Sequence, residues 1–270
     1  MQPSIDPLPD PVSDDPVQRA IDRLGPWFHN LHLPDGSQTA PQHVLGDFPN
    51  SQWQIIKNYL PERLEGKRIL DVGCNAGFYS LALARRGAQV AAVDVSAHYL
   101  RQARWAAGLY GLRGQIQFEQ RSVYDLAKDG RRFDGVLFMG VFYHLRHPLL
   151  ALDLLGRRVR DWLIFQTMLM PDEAVIESGE DRPIDDRNDF LRPGWPRLAF
   201  IERRLAGDPT NWWVANHAGV LAMLRSSGLE ATARIGREIY FCRPLPFWNA
   251  GQIDEELMAV YGHRLNPADG

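Results

Sequence analysis

The feature that most constrains the fold is the stretch from Arg68 to about Phe165, where short apolar runs alternate with helical patterns. RILDV, QVAAVDV, IQFEQ, FDGVLFM and DWLIFQT are rich in Val, Ile, Leu and Phe, as strands buried on both faces must be. Between them, GFYSLALARRG and SAHYLRQARWAAGLYG have helical spacing and run out at glycine. Strand and helix in strict alternation require an α/β, doubly wound, mostly parallel sheet. Ser96 is placed to cap the second of these helices, and Gly87 and Gly111 to stop them. Later, HAGVLAMLRSSG reads as a helix, and LEATARIG with REIYFCRP as a closing pair of strands.

The first strand breaks into RILDVGCNAGFYS, a glycine-rich turn that runs directly into a helix. Such a turn brings backbone amides to a ligand at the positive end of the helix. A dinucleotide needs G-x-G-x-x-G, whose second glycine makes room for the pyrophosphate. Here the turn is Gly73-Cys74-Asn75-Ala76-Gly77, and Asn75 holds that second place. Asp71 stands two residues before Gly73, where it is expected to face the ligand end of the strand and serve a cationic group. Asp94 closes the second strand about twenty residues on, the spacing at which a carboxylate accepts from ribose hydroxyls. Together these favour S-adenosylmethionine, which carries a sulfonium and an ammonium and no phosphate.

The motif Asp71-Val-Gly-Cys-Asn-Ala-Gly77 resembles the D-x-G-x-G-x-G signature of class I S-adenosylmethionine-dependent methyltransferases. The layout from Lys67 to Pro244 looks like their Rossmann-like, seven-stranded sheet. More narrowly, LEGKRILDVGCNAGFYS and FDGVLFMGVFYHLRHPL are similar to the enzymes that complete 5-oxyacetic acid uridine at the tRNA wobble position. The resemblance implies that Gly73 lies against the methionine part and that Asp94, Val95 and Ser96 lie at the ribose and adenine edge. It also implies Val123 and Tyr124 beside the adenine, and Met139 and Tyr143 lining the donor pocket. The wobble enzymes use a carboxylated donor held by basic side chains, one of them a lysine before the sheet. The segment WFHNLHLPDG has neither lysine nor arginine, so the ordinary donor is expected.

The domain plan that follows is a disordered tail over 1–16, an N-terminal cap over 17–66, and a methyltransferase domain over 67–245. That domain carries an insertion at about 170–214, and a C-terminal tail follows over 246–270. Within the cap, Phe48 to Leu64 reads as helical with Trp53, Ile56 and Leu60 on one face. A loop as long as the insertion is usually functional or disordered, and its three tryptophans argue against disorder.

Candidate groups for the chemistry lie around the sheet. An acceptor hydroxyl benefits from a general base, and His29, His144 and Tyr143 are the candidates. His32, Arg187, Trp212 and Trp213 are candidates for holding the acceptor, with the cap and the insertion folding together over the methyl. A metal at His29 and His32 lacks an identifiable third ligand, and none is expected. The formal net charge of -3 offers no global attraction for nucleic acid, so a small-molecule acceptor is favoured over tRNA. No stretch is long and apolar enough for a membrane span, and two cysteines make no disulfide framework, so a cytoplasmic setting is expected. A non-catalytic, donor-binding regulatory module is the remaining alternative.

Overall fold

The computed structural model describes residues 15–176, 187–246 and 250–262. The expected tail thus lies almost wholly outside the described residues, as do Asp185 and Asp186 beside Arg187. The strands of the main sheet are β1 (Arg68–Val72), β2 (Gln89–Asp94), β3 (Ile116–Gln120), β4 (Phe133–Met139), β5 (Val159–Gln166), β8 (Leu229–Ile235) and β9 (Ile239–Pro244). A separate ribbon pairs β6 (Leu198–Phe200) with β7 (Trp213–Ala215) inside the insertion.

The seven-stranded sheet has the order β3-β2-β1-β4-β5-β9-β8. The first five strands are parallel, and β9 enters antiparallel to β5. The chain leaves β1 towards β2 on one side and returns to β4 on the other, so the crevice opens beyond the carboxyl ends of β1 and β4. Because β9 is antiparallel, its first residues lie at that same edge, and Ile239 pairs with Gln166 there.

The central strands hold the middle of the sheet by being apolar on both faces: Ile69, Leu70, Val136, Leu137, Leu163 and Ile164 are fully buried. At each such position burial of a large aliphatic side chain contributes about 1.5 to 3 kcal/mol. One face packs against α1 (Pro16–Leu24), α2 (Asn50–Ile56), α3 (Phe78–Ala84) and α4 (Ala97–Leu109), through Ile21, Trp53, Leu83 and Leu100. The other packs against α5 (Pro148–Gly156) and α6 (His217–Ser226), through Leu152, Leu155, Val220 and Leu224. A last helix, α7 (Ala250–Tyr261), lies on α5, with Leu257 buried against Leu154.

The long upstream helix expected from Phe48 to Leu64 is shorter, ending at Ile56 and tightening into a single 3-10 turn, Lys57–Tyr59. Its apolar face is as expected, with Trp53, Ile56 and Leu60 buried. Phe48 stays outside because it packs with Phe28 and His43, and its backbone carbonyl accepts from Asn30.

Candidate active site

The turn after β1 is held by its own backbone and by one acid. Gly73 and Cys74 both donate N–H to the Val93 carbonyl at the end of β2. Asn75 follows in the left-handed region (φ 51°) and donates its N–H to Asp94 Oδ2 at 2.9 Å. Ser96 donates its N–H to the other oxygen, Oδ1, at 2.8 Å, and Ser96 Oγ in turn caps α4 by accepting from Tyr99. Asp94 therefore fastens the glycine turn to the start of the next helix while burial raises its pKa. A carboxylate has about four acceptor sites, so two remain for hydroxyl donors after both backbone N–H groups are served.

The glycines are required by space as well as by backbone. Gly73 has φ 71°, and a Cβ there would sit 2.3 Å from Val141 Cγ2. Val141 belongs to the loop after β4, so that loop closes directly on the glycine turn. Gly77 has φ 82° and starts α3 with no side-chain cap, its amide end left to the crevice. Val95, 68% exposed, lies just past Asp94 at the open edge.

Asp71 departs from expectation. Its carboxylate is only 2% exposed and Oδ2 accepts the Ser80 hydroxyl at 2.5 Å, which fastens the first turn of α3 to β1. Burial, opposed by that hydrogen bond, pushes its pKa up to about 6. The helix places Ser80 over the strand end, so the acid is turned inward instead of towards a cationic ligand group.

The loop after β4 carries Met139, Gly140, Tyr143 and His144. Met139 is half-buried and packs against the core on the side of α3. Tyr143 and His144 belong to the 3-10 turn Phe142–His144, their rings 4.4 Å apart. Burial first, then Glu238 and Asp208, push the Tyr143 phenol up to about 12, so it is protonated at neutral pH. Glu238 reaches this edge from the start of β9 and accepts from Gln166 Nε2 and the Leu169 N–H. His144 Nδ1 lies 2.9 Å from Thr210 Oγ1, and burial holds the ring below the ordinary imidazole value despite the pull of Asp208.

Val123 is buried in the α5 face of the core, and Tyr124, half-buried, accepts the His147 N–H through its hydroxyl. This pair thus joins the turn after β3 to the start of α5.

Among the described residues the cap packs on the sheet face that carries α3 and α4, and Leu198 of the insertion on the face that carries α5 and α6, contrary to the expectation that the two fold together. His29 lies on the α3 side, ringed by Phe28, Phe48, Phe78 and Tyr79. It is 6% exposed, its Nδ1 has no hydrogen-bond partner, and burial drives its pKa down to about 3. His32 is further away still. Its Nε2 is 2.7 Å from Asp47, and its carbonyl accepts the hydroxyl of Tyr110, at the far end of α4 from Ser96. An acceptor role for His32 is therefore corrected: the ring belongs to a polar knot in which Asn30 and Asn50 also donate to Asp47.

Trp212 and Trp213 arrive from the opposite face. The Trp212 N–H donates to the Tyr143 carbonyl and Trp213 Nε1 to the Leu145 carbonyl, so the insertion grips the loop after β4. Arg146 lies over the Trp212 ring at 4.6 Å. Beside Trp213 a cleft of about 520 Å³ is lined by Arg146, Leu150, Leu198, Ile253 and Leu257. Arg187 is exposed at the start of a 3-10 turn in the insertion. Three groups escaped the sequence reading: Gln166 and Glu238, which meet only through sheet pairing, and the Asp208–Thr210 turn. Asp-Pro-Thr is a turn signature that would have marked the last of these.

Residues 69–160 match the methyltransferase domain family. Over 149 residues the chain is 33% identical to ubiquinone biosynthesis O-methyltransferase of Xylella fastidiosa (strain 9a5c), covering 53% of this chain and 56% of that protein. Over 161 residues it is 33% identical to tRNA U34 carboxymethyltransferase of Alcanivorax borkumensis, covering 56% and 48%. The chain thus spans about half the length of these relatives. In fold it is similar to the N-terminal domain of EvdMO1, solved with SAH and D-fucose, at a TM-score of 0.61 and 20% identity, covering 85% of this chain and 96% of that one. The glycine turn, the strand order and the family match agree: residues 69–160 form a methyltransferase domain, set in the seven-stranded sheet of the class I S-adenosylmethionine-dependent methyltransferases.

Proposed function

We propose that the chain is an S-adenosylmethionine-dependent methyltransferase that acts on an oxygen of a small-molecule acceptor. The observation that carries this reading is Asp94, which receives the N–H groups of Asn75 and Ser96 and keeps acceptor capacity at the mouth of the crevice. Asp94 would hold the ribose hydroxyls, with Val95, Ser96, Val123 and Tyr124 along the adenine edge. Gly73, Asn75, Gly77 and Met139 would line the methionine part. When bound, the donor supplies a methyl carbon already activated by sulfonium. The chain's own task is to orient the acceptor and exclude water.

On the acceptor side, Tyr143 and His144 share one turn at the crevice, and His144 is the better base because it is neutral and reachable. His29 is enclosed by rings and acts as a wall of the donor side. The cleft beside Trp213, mostly apolar but lined also by Arg146, His147, Asp153 and Glu256, suits a hydroxylated acceptor with an apolar body. Similarity to an O-methyltransferase of ubiquinone biosynthesis favours the same class of chemistry. The N-terminal cap over 17–66 and the insertion over 170–214 serve as two separate walls of one domain. Among the described residues no helix is long and apolar enough to cross a membrane, and both cysteines are free and buried, which supports a cytoplasmic setting. Formation of S-adenosylhomocysteine with hydroxylated aromatic and sugar acceptors tests the reading. Its absence with every acceptor, despite donor binding, would favour the regulatory module.

Similarity to a tRNA U34 carboxymethyltransferase supports a second reading. It requires a basic clamp for a second carboxylate, and burying that group without one is costly. Beside Phe78, the first residue of α3, stand the rings of His29, Phe28 and Phe48, and His29 is kept uncharged by burial. In a competition experiment S-adenosylmethionine is expected to displace the carboxylated donor at about equimolar concentration. Tighter binding of the carboxylated form would establish the second reading instead.

A further inference from the structure

The turn around Asp208 makes a hydrogen-bonded chain with a fixed direction. Asp208 Oδ1 accepts both the Thr210 N–H at 2.7 Å and the Thr210 hydroxyl at 2.6 Å. The acid is held below the ordinary carboxylate range by those bonds, so it is ionised and can only accept. A hydroxyl has one proton, and at 2.6 Å from a carboxylate oxygen that proton is committed. Thr210 Oγ1 can therefore meet His144 Nδ1, 2.9 Å away, only as an acceptor. His144 must carry its proton on Nδ1, which leaves the lone pair on Nε2.

Resting on the methyl-transfer reading above, we propose that Asp208 and Thr210 are positioning residues that lock His144 as the Nδ1–H tautomer and present Nε2 to the acceptor hydroxyl. In the step served, the acceptor O–H proton passes to Nε2 as the oxygen pair forms the bond to the methyl carbon. The carbon–sulfur pair returns to sulfur, giving a methyl ether, S-adenosylhomocysteine and a His144 imidazolium, which releases its proton to water. The lock is built from the insertion. Leu205 and Asp208 bond each other's backbone across a tight turn, with Ala206 and Gly207 left-handed and Asn211 Nδ2 donating to the Leu205 carbonyl. Among the described residues, the ionisable groups facing the His144 ring are Asp208 from that turn and Tyr143 on its own turn, with Arg204 acting on Asp208 and Glu238 on Tyr143. The pair lies outside residues 69–160, the segment that matches the methyltransferase domain family.

The test is a long-range proton–nitrogen NMR correlation on the full chain labelled at histidine nitrogen, with His144 assigned through His144→Gln. The wild-type protein is expected to show a protonated Nδ1 and a bare Nε2 at neutral pH. Thr210→Val, nearly isosteric, is expected to move His144 towards the Nε2–H form, and Asp208→Asn likewise, whereas Thr210→Ser keeps the wild-type pattern. In turnover, Thr210→Val should lower kcat by about tenfold to a hundredfold with donor KM unchanged, part of what a general base contributes. A wild-type His144 protonated on Nε2, or the same tautomer in Thr210→Val, overturns the lock. If the lock is seen but no acceptor is methylated, the proposal on the tautomer stands and the methyltransferase reading fails. Turnover by a protein whose His144 carries its proton on Nε2 overturns the lock and leaves the methyltransferase reading standing.

Discussion

Replacing Asp94 with alanine is expected to weaken binding of S-adenosylhomocysteine by about tenfold to a hundredfold. Two effects add. The ribose hydroxyls lose a charged acceptor, and the N–H groups of Asn75 and Ser96 lose the oxygens that hold them at 2.9 and 2.8 Å. Hydrogen bonds to a charged group contribute about 1.5 to 3 kcal/mol, and about 1.4 kcal/mol is a factor of ten in affinity. Asn75 is already in the left-handed region, so its turn has a local cost that the Asp94 bond offsets. Asp94→Asn should recover little, since its amide NH₂ would meet one of the two N–H donors. The sheet itself does not depend on Asp94, and thermal unfolding is expected to remain cooperative. Calorimetry that finds an unchanged affinity would contradict the placement of the donor.

The second large effect concerns His29 and pH. In the unfolded chain the imidazole takes up a proton near pH 6.5, whereas burial keeps it neutral in the fold down to about 3. The unfolded state therefore binds more protons between those values, and stability falls as pH drops through this window. The loss approaches about 1.4 kcal/mol per pH unit, or on the order of 2 kcal/mol between pH 6.5 and 4.5. Asp71 acts in the opposite sense: its pKa of about 6 lies above the unfolded value of 3.8, so the fold gains stability as pH falls through that range. Comparison of wild type with His29→Phe separates the two. The variant keeps an aromatic ring among Phe28, Phe48 and Phe78 and discards a buried Nδ1 that has no partner. It should match or exceed wild-type stability at pH 7.5 and lose less on acidification. Urea unfolding with parallel pH dependence in the two proteins would show that His29 is not buried as described.

The parallel core was legible because buried strands announce themselves through continuous apolar runs, and RILDV, QVAAVD and FDGVLFM fall on β1, β2 and β4. Asp94 was legible because its distance from the glycine turn is set by one strand-helix-strand unit. Asp71 was misread because sequence gives the strand end but not which way the acid turns, and Ser80 decides that one helical turn into α3. His32 and His29 look equivalent three residues apart, yet one is tied to Asp47 and the other enclosed by rings. The insertion was the least legible part. Its order comes from side chains that bind backbone, above all Asn216, which accepts from Gly219 and Arg197 and donates to Asp172 and to the Trp195 carbonyl. Such contacts have no periodicity to read. Thr210 reaches His144 across sixty-six residues for the same reason.

The most direct measurement is transfer of an isotopic label from the methyl of S-adenosylmethionine by the purified full chain, followed by mass spectrometry of the acceptor. The predicted result is a labelled methoxy group on a small hydroxylated acceptor, formed in equal amount with S-adenosylhomocysteine and absent when the acceptor lacks the hydroxyl. A label that stays on the donor with every acceptor, or that appears in tRNA instead, would contradict the account.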